Sequence, residues 1–331
     1  MSNEKQENMQ GSDQPVMNQP NTSTDERNTP EGSRQAFASQ SEQGKSAQGK
    51  SAQGKSAHKG LVLKLIVLIV FIGMVIVNAL ASLLPLNGMD TGAISDSYPD
   101  LFAPAGVTFA IWGLIYFLLL IFTVFQFFPA GSQPAASRLK RVQVFFIISS
   151  LANIAWIFAW HWQQIGLSLI FMIVILLCLI LTDRQVSKQP LTIKERLCLK
   201  LPFSIYFGWI SVATVANVTT FLVSIDWNGF GLPEGLLTSA VLIVATIIAL
   251  LVVTTRMNWA YGAVFVWAYA GIIIKHLDAA AGFGSQYIEV IITTSVCLGL
   301  IAAASLLALF GRKLKLSPRP GADQPRAENN H

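Results

Sequence analysis

From residue 61 onward the chain is a succession of apolar runs, each near the length at which an α-helix crosses a bilayer. A hydrocarbon core of about 30 Å needs about 20 helical residues. Runs of that order occupy roughly residues 61–86, 105–128, 142–161, 166–182, 201–224, 235–255, 258–275 and 288–311, separated by charged or Pro/Gly-rich breaks. In lipid every backbone N–H and C=O needs an internal partner, so such runs must be helices; a barrel would show shorter alternating segments. Only 12% of residues are charged and 53% are hydrophobic, too little charge to cover a soluble surface. The fold class expected is an all-α integral membrane protein with eight transmembrane helices.

The remaining polar sequence sets the organisation. Residues 1–59 are rich in Gln, Ser, Asn and Gly, end in "QGKSAQGKSAQGKSAHKG", and lack the apolar surface that would offset the entropy of ordering them. They are expected to be a disordered tail; the run that follows is too long for the core of a signal peptide. Arg138, Lys140, Arg141, Arg184, Lys188, Lys194, Arg196, Lys200, Arg256, Arg312, Lys313 and Lys315 all fall on the side of the tail. The opposite loops hold Asp90, Asp96, Asp100, Asp226, Glu234, Asp278 and Glu289, with Lys275 as their single basic residue. With a bacterial-type plasma membrane assumed, the positive-inside rule then places both termini in the cytoplasm. The same distribution accounts for the net charge of +5 without nucleic acid; the bilayer is the partner. The sequence divides into the tail 1–59, helices over 60–224, three further helices over 225–311 and a basic tail 312–331.

Side chains able to do chemistry are few. Cys178, Cys198 and Cys297 have neither CxxC nor metal spacing and read as packing residues. His161 and His276 fall at outer helix ends, where solvated interfacial histidines are the simpler reading and joint metal or haem ligation the other. No acidic residue sits mid-span, no nucleophile–base pair or phosphate loop is present, and no cofactor is required.

Three helical faces combine aromatic and amide groups instead. Trp112 and Tyr116 lie one turn apart in the second run, Asn153, Trp156 and Trp160 form a stripe in the third, and Trp209, Ala213 and Asn217 another in the fifth. Each residue can be read as interhelical packing or hydrogen-bond glue. Together they can also line a cavity whose rings stack a flat apolar ligand while the amides orient its polar edge. Trp162 and Trp227 read as interfacial belt residues. In the seventh run Trp259, Ala263 and Trp267 share one line and Tyr261, Phe265 and Tyr269 another, the pattern of a buried helix that either widens or closes the cavity or is simply densely packed. Ahead of the second run, Pro104 fixes the chain at the helix start, and Gly106 is read as letting the loop pack closely as a lid.

These residues carry a resemblance. "APAGVTFAIWGLIY", with Pro104, Gly106, Phe109, Trp112 and Tyr116, the Asn153/Trp156 step, and "LPFSIYFGWISVATVAN", with Pro202, Phe203, Trp209, Ala213 and Asn217, resemble in order the second, third and fifth helices of the TspO/MBR family, the translocator or tryptophan-rich sensory proteins also called peripheral benzodiazepine receptor-like. The loop before the second helix lacks that family's Trp and Lys, and the likeness read this way covers residues 61–224. It implies a five-helix bundle binding porphyrins, other tetrapyrroles or sterol-like lipids, with Pro104, Gly106, Trp112, Tyr116, Asn153, Trp156, Trp209 and Asn217 around the ligand. The role it implies is sensor, regulator or carrier, with transport or porphyrin degradation also attributed to members. The last three runs are read as a regulatory or homo-oligomer-forming addition. The alternative is a secondary transporter of a small apolar or amphiphilic solute.

Overall fold

The computed structural model describes residues 60–84, 86–129 and 131–316, with side chains described as far as residue 311. The expected order or disorder of 1–59 and of the last residues lies outside that range. Among the described residues there is no strand. The eight runs are the helices α1 (Gly60–Leu83), α2 (Gly106–Phe125, opening with a 3-10 turn over Gly106–Ala110), α3 (Gln133–His161), α4 (Ile165–Ser187), α5 (Ile193–Ser224), α6 (Glu234–Arg256), α7 (Trp259–Leu277) and α8 (Ile288–Leu316). All eight are long and apolar enough to cross a membrane. Their outward faces agree: Ile69, Phe117, Ile170, Val244 and Leu307 are each more than half exposed, the arrangement of a helix bundle whose solvent is lipid.

Two helices start earlier than the apolar runs indicate. α3 begins at Gln133, capped by the Ser132 side chain with Pro134 in its first turn, so Arg138, Lys140 and Arg141 ride on a helix rather than in a loop. α5 begins at Ile193 behind a capping box in which Thr192 and Glu195 satisfy each other's backbone N–H groups, and passes through a single π turn at Arg196–Lys200. Hydropathy locates the membrane, whereas capping side chains and polar helix turns carry these helices beyond it. Arg138 joins the two extensions by its ion pair with Glu195 and a 3.1 Å hydrogen bond to Gln189. The turn between α3 and α4 is as tight as "HWQQIG" requires: Gln163 is in the left-handed region (φ 54°), and Gln164 N–H reaches the Ala159 carbonyl at 2.8 Å.

α3 packs along α4, α4 along α5, and α2 on α5, while α1 lies on α3 through Phe71 against Phe146 and an Asn78–Asn153 bridge. α6, α7 and α8 pack on one another and meet the first group mainly where α7 crosses α5. At that crossing Gly208 sets the spacing: an added Cβ would stand 2.9 Å from both the Tyr261 carbonyl oxygen and Val264 Cβ. The aromatic line of α7 is buried here as its pattern suggests, Tyr261 against Phe207 at 4.7 Å and Tyr269 Oη donating to the Leu242 carbonyl. α6 and α8 are thus anchored through α7, and α7 also reaches the loop between α1 and α2.

Candidate ligand-binding site

The α1–α2 loop, with its short helix Thr91–Asp96, lies across the end of the bundle and is fastened at three places. At α3, Trp160 Nε1 donates to the Thr91 carbonyl and Asn87 Nδ2 to the His161 carbonyl. His161 Nδ1 donates to the Leu86 carbonyl at 3.1 Å, which leaves Nε2 to accept from Thr91 Oγ1. At α5, Thr219 and Thr220 hydroxyls donate to Asp100 Oδ2 at 2.7 and 3.1 Å, while Phe102 N–H donates to Oδ1. At α7, Lys275 pairs with Asp96 at 2.7 Å, His276 Nε2 donates to the Leu101 carbonyl, Gly271 O accepts from Ala105 N–H, and Trp267 Nε1 donates to the Thr108 carbonyl.

Both histidines are therefore buried fasteners and not the solvated interfacial groups expected of outer helix ends: 1% and 0% of their surfaces remain exposed, because the loop folds back over the helix termini. Trp162 and Trp227, half and more than a third exposed, fit the belt positions expected of them. Asp100 is a loop carboxylate buried to 3% exposure. Burial pushes its carboxyl above the ordinary value of 3.8, against the opposing pull of Thr219, the Phe102 N–H, Thr220 and the Lys275 charge.

Beneath the loop is a cavity of about 420 Å³, within the ordinary range for small-molecule sites. Its walls are Asn78 and Ser82 of α1, Asp90 to Ala93 and Asp96 of the loop, Gly106, Phe109, Trp112 and Tyr116 of α2, and Ile157 of α3. The Trp112 ring is stacked on Tyr116 with centroids 5.5 Å apart and planes at 19°. Behind it Trp112 touches Trp156 at 6.3 Å and stands edge-on to Tyr206 and Trp209 at 6.1 and 6.2 Å, and Trp156 stacks on Trp160. Each such ring pair is worth about 0.5–1.5 kcal/mol beyond its burial, so Trp112 is held by its neighbours in one orientation. Around it Tyr116 Oη, Trp156 Nε1 and Trp209 Nε1 are buried without a hydrogen-bond partner among the described residues. Buried polar atoms are rarely left so unless a ligand or an ordered water completes them.

The residues singled out in sequence divide accordingly. Gly106, Trp112 and Tyr116 line the cavity. Trp156 and Trp209 lie behind the Trp112 ring. Asn153 reaches the wall through Asn78, whose Nδ2 donates to its Oδ1 at 2.7 Å. Pro104 is buried in the loop two residues ahead of the first turn of α2. Asn217 is not at the cavity: it exchanges hydrogen bonds of 3.1 and 3.2 Å with Ser168, joining α5 to α4. Nor does Gly106 serve close packing, since a Cβ there would meet no atom within 4 Å. The close approach belongs to Gly271, where an added Cβ would lie 2.0 Å from Thr108 Oγ1.

The aromatic pattern of α7 pointed to burial beside the cavity but not to the residues by which it holds the loop. Trp267, Gly271 and Lys275 recur every fourth residue and form the face that grips the loop. The available signal was Lys275 itself, one cation among the acids of its side of the membrane.

Comparison with known proteins adds one relation: a family model described as TSPO-like protein matches residues 64–308. The match continues past residue 224, where the motif likeness ends, through α6 and α7 and into α8. No curated protein and no solved structure matches the chain.

Proposed function

Because the chain belongs to the TSPO-like protein family, we propose that it binds a planar hydrophobic ligand, of the tetrapyrrole or sterol-like kind, in the cavity under the α1–α2 loop, and acts as a sensor, regulator or carrier of it. The observation that carries this reading is Trp112: a flat ring in the cavity wall, stacked on Tyr116 and held by Trp156, Tyr206 and Trp209. A stacking wall of this kind selects flat ligands, and Tyr116 Oη, a donor of a wall residue with no partner among the described residues, can hold a polar edge. The loop supplies the cover. Membrane orientation with both termini in the cytoplasm is part of the proposal and rests on the charge asymmetry of the connecting segments.

The polar lining narrows the ligand. Asp90 and Asp96 are its carboxylates, and Lys275, the nearby cation, is already engaged by Asp96. A ligand carrying its own carboxylates meets like charge here, whereas a neutral one does not. The test is quenching of Trp fluorescence in the detergent-solubilised chain by protoporphyrin and, separately, by its dimethyl ester. Saturable quenching is expected, tighter for the ester and weakened by Trp112→Ala. Absence of saturable quenching by both compounds overturns the reading, and so does quenching indifferent to Trp112.

A further inference from the structure

Two further cavities lie toward the other end of the bundle, where α4 runs into α5 and α6 into α7. The larger, about 550 Å³, is walled by Lys188, Arg196, Lys200 and Arg256. Cations flanking a membrane are ordinary; four converging on one hollow are not. The π turn at Arg196–Lys200 sits in that wall, with Leu201 N–H closing on the Arg196 carbonyl, and Arg196 Nε is tied to the Leu191 carbonyl at 3.2 Å. Lys200 is 8% exposed. The Ser187 hydroxyl, also in the wall, is buried with no hydrogen-bond partner among the described residues.

Arg256 also lines a second hollow of about 310 Å³, which lies between α4, α5, α6 and α7. That crevice is apolar over most of its length, through Leu176, Ile180, Val252 and Phe265. Arg184 and Asp183 stand at its charged end, with Asp183 Oδ2 4.0 Å from Arg256 Nε. Across the two hollows five basic side chains face one carboxylate. A basic chamber and an apolar crevice that share Arg256 have the division of an amphiphile with an anionic head.

We propose that this seam is a binding site for an anionic phospholipid, its phosphodiester among Lys188, Arg196, Lys200 and Arg256 and one acyl chain in the crevice between the α4–α5 and α6–α7 pairs. Charge complementarity selects the head, and the crevice selects a ligand with a tail. The site lies where α6–α8 meet the rest of the bundle, so occupancy ties these three helices to α4 and α5. It is independent of the ligand cavity under the loop.

The experiment uses the full chain in phosphatidylcholine nanodiscs titrated with phosphatidylglycerol, bound lipid being counted by native mass spectrometry. The Lys188→Gln/Arg256→Gln chain changes two exposed members of the chamber, and Lys140→Gln/Lys194→Gln removes the same charge elsewhere at that end. Loss of charge-assisted hydrogen bonds is expected to weaken phosphatidylglycerol binding about tenfold or more in the first and by less than about twofold in the second. Unfolding of both variants at the wild-type midpoint separates loss of the site from loss of the fold. Equal weakening in the two variants, or no saturable binding to the wild type, overturns the site. Inorganic phosphate binding as tightly as the lipid overturns the role given to the crevice.

Discussion

Gly271→Ala would place a methyl group where the first turn of α2 already stands. The new Cβ would lie 2.0 Å from Thr108 Oγ1 and 3.0 Å from both Thr108 Cβ and Cγ2. A turn of the threonine side chain can remove the first clash but not the contact with Cβ, which is fixed to the backbone. α7 and the start of α2 must therefore move apart, stretching the two hydrogen bonds that cross the contact, Ala105 N–H to Gly271 O at 3.1 Å and Trp267 Nε1 to Thr108 O at 3.0 Å. Overpacking of this kind costs about 1–3 kcal/mol, and a weakened hydrogen bond adds up to about 1, so about 2–3 kcal/mol is expected for the substitution. Thr108→Ala removes two of the three clashing atoms, and in that background the cost of Gly271→Ala is expected to fall by about 1 kcal/mol. Reversible unfolding in mixed detergent–SDS micelles gives the four corners of the cycle. Amide exchange at residues 105–109 reports the local loosening. An undiminished cost in the Thr108→Ala background, or no cost in either, would refute the claim that α7 holds the loop by close approach at this glycine.

Three further perturbations test other joints. Lys275→Met removes the ion pair to Asp96, a carboxylate about half exposed, so the global cost is expected to be only about 0.5–1 kcal/mol while amide exchange across residues 91–103 accelerates; unchanged exchange there would show that the pair does not fasten the loop. Burial raises the Asp100 carboxyl above 3.8, so the folded chain binds this proton more tightly than the unfolded one. The resulting stability is present at low pH and lost as pH rises from 3.8 through the folded value, a slope that Asp100→Asn should flatten in unfolding measured against pH; an identical slope in the variant would remove Asp100 from the account. Gly208→Ala is expected to cost about 1–3 kcal/mol by forcing α5 from α7, whereas at Gly113 an added Cβ meets nothing within 4 Å and alanine should be neutral or stabilising. Equal effects at the two glycines would mean that the crossing is not closely packed.

Hydropathy alone determined the number of helices, their class and most of their limits, because the bilayer is a solvent whose thickness and backbone demands leave one solution for a 20-residue apolar run. Helical spacing put Trp112 with Tyr116 on one face and Asn153 with Trp156 on another, and the packed bundle brings the rings of Trp112, Tyr116, Trp156 and Trp209 together. Spacing could not assign partners across helices. Asn153 and Asn217 look alike in sequence, yet one reaches the cavity wall through Asn78 and the other is consumed by Ser168; the difference lies only in which helix each amide meets. Likewise His161, His276 and Lys275 sit at helix ends that hydropathy gives to water, and the loop that buries them has no periodicity of its own to announce its path. Which residues face one another was decided by the crossing of α7 over α5 and by its contact with the start of α2, the latter between segments more than 150 residues apart that only the packed bundle brings together.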